Sequence, residues 1–284
     1  MNTTQMQNAP LSPEQVSQWD NDGYLLLRRV IPQSIINNLR DLFARVVDRM
    51  IGELKKQGII ENDGKQLPFE TRFAQVAGEH AKRFGRSWRG EIATAEVFAL
   101  HHVEALVDVI AQITGTDVIG HPVFNARPKL PDQQLTVVPW HQDSGYFGTE
   151  TEGSLIPTVW IPLVPVNENS GCLQIISGSH RMGPVNHHTE TREGRFLEVM
   201  EEFVDDSRVV TCPMEVGDVL LFHNLTLHRS LPHESQIIRW AIDIRYLRDG
   251  DHPGGIYWKD PQFKWVFRSE MQPITALKTW KRMW

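Results

Sequence analysis

A chain of 284 residues with 40% hydrophobic residues, nine Trp and twelve Phe is long enough to bury a sizeable core in one or two units. Its net charge of −6 gives no electrostatic reason to expect nucleic acid or an anionic membrane surface as a partner. No run approaches the ~20 apolar residues of a membrane span, and Cys172 and Cys212 stand apart in apolar surroundings, which suits buried free thiols better than a disulfide framework. The polar, uncharged residues 1–8 are unlike a secretory signal, and the last four are not a peroxisomal Ser-Lys-Leu address. These features predict a cytoplasmic protein.

The first ten residues are expected to be loose. Ser12-Pro13-Glu14-Gln15 combines an N-cap, a proline at the first helical position and a Gln three residues after the cap, which predicts a helix to about Asp20. A strand is expected over 24–30. Ile35, Ile36, Leu39, Leu42, Phe43 and Val46 begin a helical periodicity that runs to Leu54, giving a long amphipathic helix that buttresses a sheet. A second helix is expected over 97–113, ending at Gly115. From Val118 the texture changes to short β-rich runs punctuated by Gly, Pro and Asn, as in a barrel or sandwich. The polar stretch 182–207, with 198–203 helical, reads as an insertion near a pocket mouth and a candidate lid.

The chemistry concentrates at Trp140-His141-Gln142-Asp143 and, far downstream, at His228-Arg229-Ser230 and Arg239. On extended backbone, residues i and i+2 face the same way. His141 and Asp143 therefore emerge side by side, and His228 can close a third corner. Two His and one carboxylate on one face of a metal, with other positions open, make the facial triad of non-haem Fe(II) sites. An isolated His-x-Asp is weak, because 12 His and 35 acidic residues produce such triplets by chance. The surroundings strengthen it: Gly145-Tyr146-Phe147 follows the pair, and Gly217-Asp218 feeds an apolar strand ahead of His228. Arg239 opens the apolar run Trp240-Ala241-Ile242-Asp243-Ile244, where a buried guanidinium is costly unless an anion meets it. Its planar fork matches a carboxylate.

These residues, with Ser12-Pro13-Glu14-Gln15, Asp22-Gly23-Tyr24, Asn169-Ser170-Gly171 and Gly178-Ser179-His180-Arg181, resemble the phytanoyl-CoA dioxygenase family of Fe(II)/2-oxoglutarate-dependent oxygenases. The resemblance covers most of the chain. It implies a mainly β fold with flanking helices around a double-stranded β-helix, the cupin-like jelly roll. The expected layout is a single domain over 1–284, with a helical front carrying one or more added strands over 1–115, the core over 116–248 and an aromatic C-terminal segment over 249–284.

The resemblance implies that His141, Asp143 and His228 hold Fe(II), that Arg239 receives the distal carboxylate of 2-oxoglutarate, and that Ser230 hydrogen-bonds the same group. Some relatives carry a Gln two residues before the first metal His; here Pro139 stands there, which leaves Asn125, Thr158 and Trp160 as further cosubstrate candidates. Related halogenases replace the carboxylate by a small residue, so Asp143 argues for hydroxylation or another oxidation without halide. The implied reaction uses O2, releases succinate and CO2, and oxidises an unactivated C–H of a small molecule.

Arg127, Tyr146 and His180 are candidate substrate contacts, with Phe73, Phe147 and Trp258 as candidate walls; Arg127 reads equally well as a structural ion pair at the barrel rim. His223 has no matching Ser and Arg at the offsets found for His228. His101-His102 and His187-His188 read as surface or capping pairs, because adjacent side chains diverge, and His233 and His252 as solvated turn residues. Two other classes keep some of these features. A metal-dependent hydrolase or isomerase on a cupin-like barrel would use the triad but has no need of Arg239 and Ser230. A non-catalytic ligand-binding barrel leaves the whole ligand set without a purpose.

Overall fold

The computed structural model describes residues 11–84, 88–115, 118–131, 137–188 and 196–254. The first ten residues and the C-terminal aromatic stretch, Trp258 included, lie outside the described residues.

The front half is helical for the reasons its sequence carries. Helix α1 (Pro13–Asp22) is closed by a capping box: the Ser12 hydroxyl accepts from the Gln15 amide at 3.3 Å and the Gln15 side chain accepts from the Ser12 amide at 2.9 Å. Strand β1 (Tyr24–Leu27) is shorter than expected. The chain turns away at Arg29, where φ is +53°, and the Arg29 amide donates to Asp218 at 2.9 Å. Helix α2 (Gln33–Lys56) buries Ile36, Leu39, Phe43 and Val46 along one stripe, as its periodicity requires. Helix α3 (Arg72–Ala77) follows.

The single helix expected over 97–113 is two: α4 (Ala95–His101) and α5 (Glu104–Thr114), bent by 46°. The reason lies at the junction. The His102 imidazole bonds the Phe98 carbonyl at 2.7 Å while its amide turns to Ala99, a side-chain bond that competes with the helical ladder, and Val103 is then extended. Gly115 closes α5 in the left-handed conformation, where a Cβ would be strained. Among the described residues no single helix is long and apolar enough to cross a membrane. The bent pair passes that test by composition, yet its apolar residues Val97, Leu100, Leu106 and Ile110 belong to the core.

The rear half is two antiparallel sheets face to face. The larger runs β1, β9 (Val219–Phe222), β4 (Thr158–Pro162), β11 (Ala241–Arg248), β2 (Val118–Gly120), with β3 (Asn125–Ala126) also paired to β11. The smaller runs β10 (His228–Ser230), β5 (Leu173–Ile176), β8 (Val209–Cys212). A bridge between His141 and His228 adds the chain around His141 to its edge. A short hairpin pairs β6 (His187–His188) with β7 (Glu198–Val199). The segment expected to be helical over 198–203 is thus a short strand followed by the 3-10 turn Glu201–Phe203. This is a jelly roll with helices packed outside it, and β1 from the front half completes the larger sheet. Both cysteines are buried and free.

Trp240 ties the halves together. It is fully buried against Phe43 of α2 at 5.7 Å and Trp88 at 5.5 Å between ring centroids. Side chains alternate along extended backbone, so anchoring Trp240 outward sends Arg239 and Ala241 inward, and both line the cavity between the sheets.

Candidate metal centre

His141, Asp143 and His228 come together, all buried, with one ligand atom from each within 4.8 Å of the others. The two histidines sit on adjacent backbone: the His141 amide donates to the His228 carbonyl at 3.1 Å, and the His228 amide returns the bond at 3.0 Å. Asp143 opens the 3-10 turn Asp143–Tyr146 immediately after the bridge. Gln142 between them faces the opposite way. Its amide group donates to the carbonyls of Gly183 and Leu225 at 2.9 and 2.8 Å and accepts from Val185 at 3.0 Å, which fastens the loop behind the site.

The nitrogens are correctly oriented for a metal. Nδ1 of His141 bonds the Pro139 carbonyl at 2.9 Å, and Nδ1 of His228 bonds the Thr226 carbonyl at 3.0 Å. A carbonyl only accepts, so each Nδ1 carries the proton and each Nε2 presents a lone pair. Burial lowers both imidazole pKa values, which keeps the rings neutral. Both Nε2 atoms stand 3.9 Å from Oδ1 of Asp143. That is too far for a hydrogen bond and suits three ligands around one ion.

Asp143 is divided between two tasks. Its Oδ2 accepts from the Thr158 hydroxyl at 2.6 Å and from Nε and Nη2 of Arg245 at 3.1 and 2.8 Å. Oδ1 is left facing the histidines. Burial pushes the carboxyl pKa up, but Arg245, then His228 and His141, and the Thr158 hydroxyl outweigh it and hold the group below the usual carboxylate range. Arg245 is itself fixed by Asp243, which also accepts from Asn125 at 3.0 Å; Asn125 in turn accepts from Arg89 at 2.9 Å.

Arg239 lines the same cavity of about 290 Å³, with Lys129 paired to it through the backbone. Arg239 is buried, its Nη1 donates to the Gly171 carbonyl at 3.3 Å, and its Nε has no partner. The guanidinium lies 5.3 Å from the Trp160 ring. Burial, and then the neighbouring Arg127, lower its pKa to about 10, so it stays charged. Lys129 is fully buried, pairs with Arg239 through the backbone, and donates to the Ser230 hydroxyl at 3.0 Å and to the Leu231 carbonyl. Gly171 is required here: at φ +72° a Cβ would stand 2.7 Å from the Leu231 carbonyl oxygen and 3.1 Å from Lys129 Nζ.

The cavity wall includes Ser230, Thr158, Asn125, Trp160, Arg127 and Tyr146 along with the metal triad and Arg239. Thr158 is committed to Asp143, and Asn125 to Asp243 and Arg89. Tyr146 packs its ring 5.8 Å from His141 and its hydroxyl accepts from the Leu197 amide at 3.0 Å. His180 does not belong to this wall. It bonds the Asp20 carbonyl at 3.2 Å and fills the space beside Gly23, so it braces the turn from α1 into β1. Phe73 is likewise displaced: it is core, 5.7 Å from Trp88. His223 accepts from the Leu225 amide at 3.0 Å, away from the triad. His187 accepts from the Gln142 amide at 3.1 Å. His233 is buried rather than solvated, bonding the Ile237 carbonyl at 2.6 Å.

A profile of the family described as Phytanoyl-CoA dioxygenase (PhyH) matches residues 19–241. The chain belongs to the phytanoyl-CoA dioxygenase family. Among its relatives, the 1-deoxypentalenic acid 11-beta-hydroxylase of Streptomyces arenae is 34% identical over 154 residues, which is 48% of this chain and 53% of the hydroxylase. The match thus spans about half the length of that relative. Phytanoyl-CoA dioxygenase domain-containing protein 1 of Danio rerio is 30% identical over 95% of this chain and 99% of its own. Among solved structures, the non-heme monooxygenase ThoJ matches with a TM-score of 0.61 at 16% identity over 94% of both chains. EvdO2 from Micromonospora carbonacea var. aurantiaca, complexed with 2-oxoglutarate, gives 0.57 at 17% identity over 87% of this chain and 96% of its own. At such identities the structural likeness shows a shared fold.

Proposed function

We propose that this phytanoyl-CoA dioxygenase family member is a non-haem Fe(II)- and 2-oxoglutarate-dependent dioxygenase. It hydroxylates or otherwise oxidises an unactivated C–H of a small molecule, with release of succinate and CO2. The observation that carries this reading is the pairing of two features in one cavity: a buried His-Asp-His set with its lone pairs free, and a buried Arg239 with an unsatisfied Nε. The triad alone would also suit a hydrolase or isomerase, which would leave Arg239 buried without an anion.

His141, His228 and Oδ1 of Asp143 would hold the iron. When bound, iron and 2-oxoglutarate together supply the oxidising power, one oxygen atom of O2 going to succinate and the other to the substrate C–H. Arg239 receives the distal carboxylate of the cosubstrate, and the Ser230 hydroxyl shares it. Lys129 holds Ser230 in place. Trp160 lies against the Arg239 guanidinium and screens it from water, which strengthens the charge-assisted bond. Arg245 and Thr158 engage Oδ2 of Asp143, so that Oδ1 is the oxygen that would hold the iron.

The test is anaerobic. Fe(II) and 2-oxoglutarate added to metal-free protein should give the weak visible charge-transfer band of the chelate, and admitting O2 should yield succinate. Folded protein that binds Fe(II) yet gives no band with 2-oxoglutarate would sink the cosubstrate assignment.

A further inference from the structure

The charges in the cavity do not balance. Arg89, Arg127, Arg239 and Arg245 line it against the two carboxylates of Asp143 and Asp243, while the Arg229 guanidinium lies over the Trp140 ring and bonds Gln174. Both imidazoles are neutral. A doubly charged cation and a dianionic cosubstrate cancel each other, so loading the site as proposed above leaves the excess of positive charge in place. An excess of this kind gives the cavity a positive field that attracts an anion.

Arg127, like Arg239, has a buried Nε with no hydrogen-bond partner, and it stands at the rim with its side chain 41% exposed. Its backbone is fixed, because its amide donates to the Ala241 carbonyl at 3.2 Å beside β3 and β11. The neighbouring carboxylate oxygen, Oδ2 of Asp243, is 3.8 Å away, beyond hydrogen-bond range. Asp243 is already engaged through its other oxygen by Arg245 and Asn125. Arg127 thus makes a long ion pair with Asp243 at the rim and keeps its Nε without a hydrogen-bond partner. The other guanidinium with such an Nε, Arg239, is assigned to the cosubstrate.

The same cavity has apolar lining in Val123, Phe147, Phe196 and the ring of Tyr146. We infer that the substrate is an apolar skeleton carrying a carboxylate, and that Arg127 receives this carboxylate while the apolar body lies against these rings. This rests on the Fe(II)/2-oxoglutarate reading and goes beyond it by naming the chemical class of the substrate. A guanidinium and a carboxylate match in a bidentate fork, which fixes orientation as well as position, and so selects the C–H presented to the metal centre.

The experiment uses the full-length protein loaded anaerobically with Fe(II) and 2-oxoglutarate. Matched pairs of rigid apolar acids and their primary amides are titrated into it, adamantane-1-carboxylate and adamantane-1-carboxamide being the first pair. The readouts are the shift of the chelate band and, with O2, succinate release. In the wild type the acid should half-saturate at a concentration about tenfold or more below its amide, as expected for loss of one charged hydrogen-bonded pair. Arg127→Gln should form the chelate band and lose this preference, and Arg127→Lys should regain part of it. Equal response to acid and amide in the wild type would overturn the inference, as would an undiminished preference in Arg127→Gln. Loss of the chelate band in Arg127→Gln would overturn it differently, by making Arg127 a cosubstrate residue. A wild type that binds Fe(II) but gives no band would break the underlying oxygenase reading, and this inference with it.

Discussion

Two buried arginines share one cavity and one strand region yet live in opposite circumstances. Arg245 meets two carboxylates, and each of its guanidinium nitrogens has a close carboxylate oxygen. Arg239 meets one carbonyl at 3.3 Å, an aromatic face and the neighbouring charge of Arg127. Burial acts against the charge of both. For Arg245 the carboxylates of Asp143 and Asp243 outweigh it and the pKa rises; for Arg239 nothing does, and the pKa falls. A satisfied buried ion is scaffolding. An unsatisfied one marks the place of a ligand that the chain does not supply.

The largest effect expected is at the triad that Arg245 supports. His141→Ala should lose tight Fe(II) binding and all succinate formation while its circular dichroism stays native, because a lost ligand opens a cavity position without unpairing a charge. Retained activity would disprove the metal site.

Arg245→Met is the sharper test of the contrast. It leaves Asp143 and Asp243 buried without their main partner, and breaking such a pair costs about 3–5 kcal/mol of stability. Loss of the restraint on Asp143 should also weaken Fe(II) binding by about 10- to 100-fold. Urea denaturation and metal titration read the two effects separately.

Arg239→Met should behave in the opposite sense. Removing an unanswered buried cation leaves the ligand-free protein as stable as before or more so, while 2-oxoglutarate binding weakens by about 2–3 kcal/mol, roughly 30- to 150-fold. If both variants were destabilised alike, the distinction between scaffold and receptor would fail.

The same contrast explains what was legible in the sequence. His141, Asp143, His228, Ser230 and Arg239 could be read because their spacing is a chemical constraint. The structure brings Asp143 together with both histidines, and Arg239 stands out as a charge in an apolar run. Asp243 and Arg245 stand two and four residues further on from Ala241, and the argument that singles out Arg239 applies to them equally. Both are as legible as Arg239 on that ground. Lys129 is not: a lysine between Pro128 and Leu130 carries no periodic signal, and its burial follows from the Arg239 bridge, a long-range pairing. His180 and Phe73 failed as cavity residues for a related reason. Local motif and aromaticity do not say which wall a side chain joins, and both were claimed by the front helices. The break at His102 came from a side chain taking over its own helix's carbonyl, an effect that apolar periodicity does not register.

Lys129 gives the finest test, because it sits against Arg239 with no anion of its own. Burial, and then Arg239, push its pKa down to about 6, against ~10.4 for a lysine in the unfolded chain. Between these values the unfolded state holds one more proton than the folded state. Stability through this group therefore rises with pH from about 6 to about 10, by at most ~1.4 kcal/mol per pH unit. Below pH 6 both states are protonated and the penalty is constant. Lys129→Met removes the titrating group, so its stability profile, measured by urea denaturation at several pH values, should be flatter than the wild type's across this window. Parallel profiles would mean that Lys129 carries its proton equally in both states. An anion already resident near Arg239 would then have to be answering it, and the cavity would not be waiting for a cosubstrate.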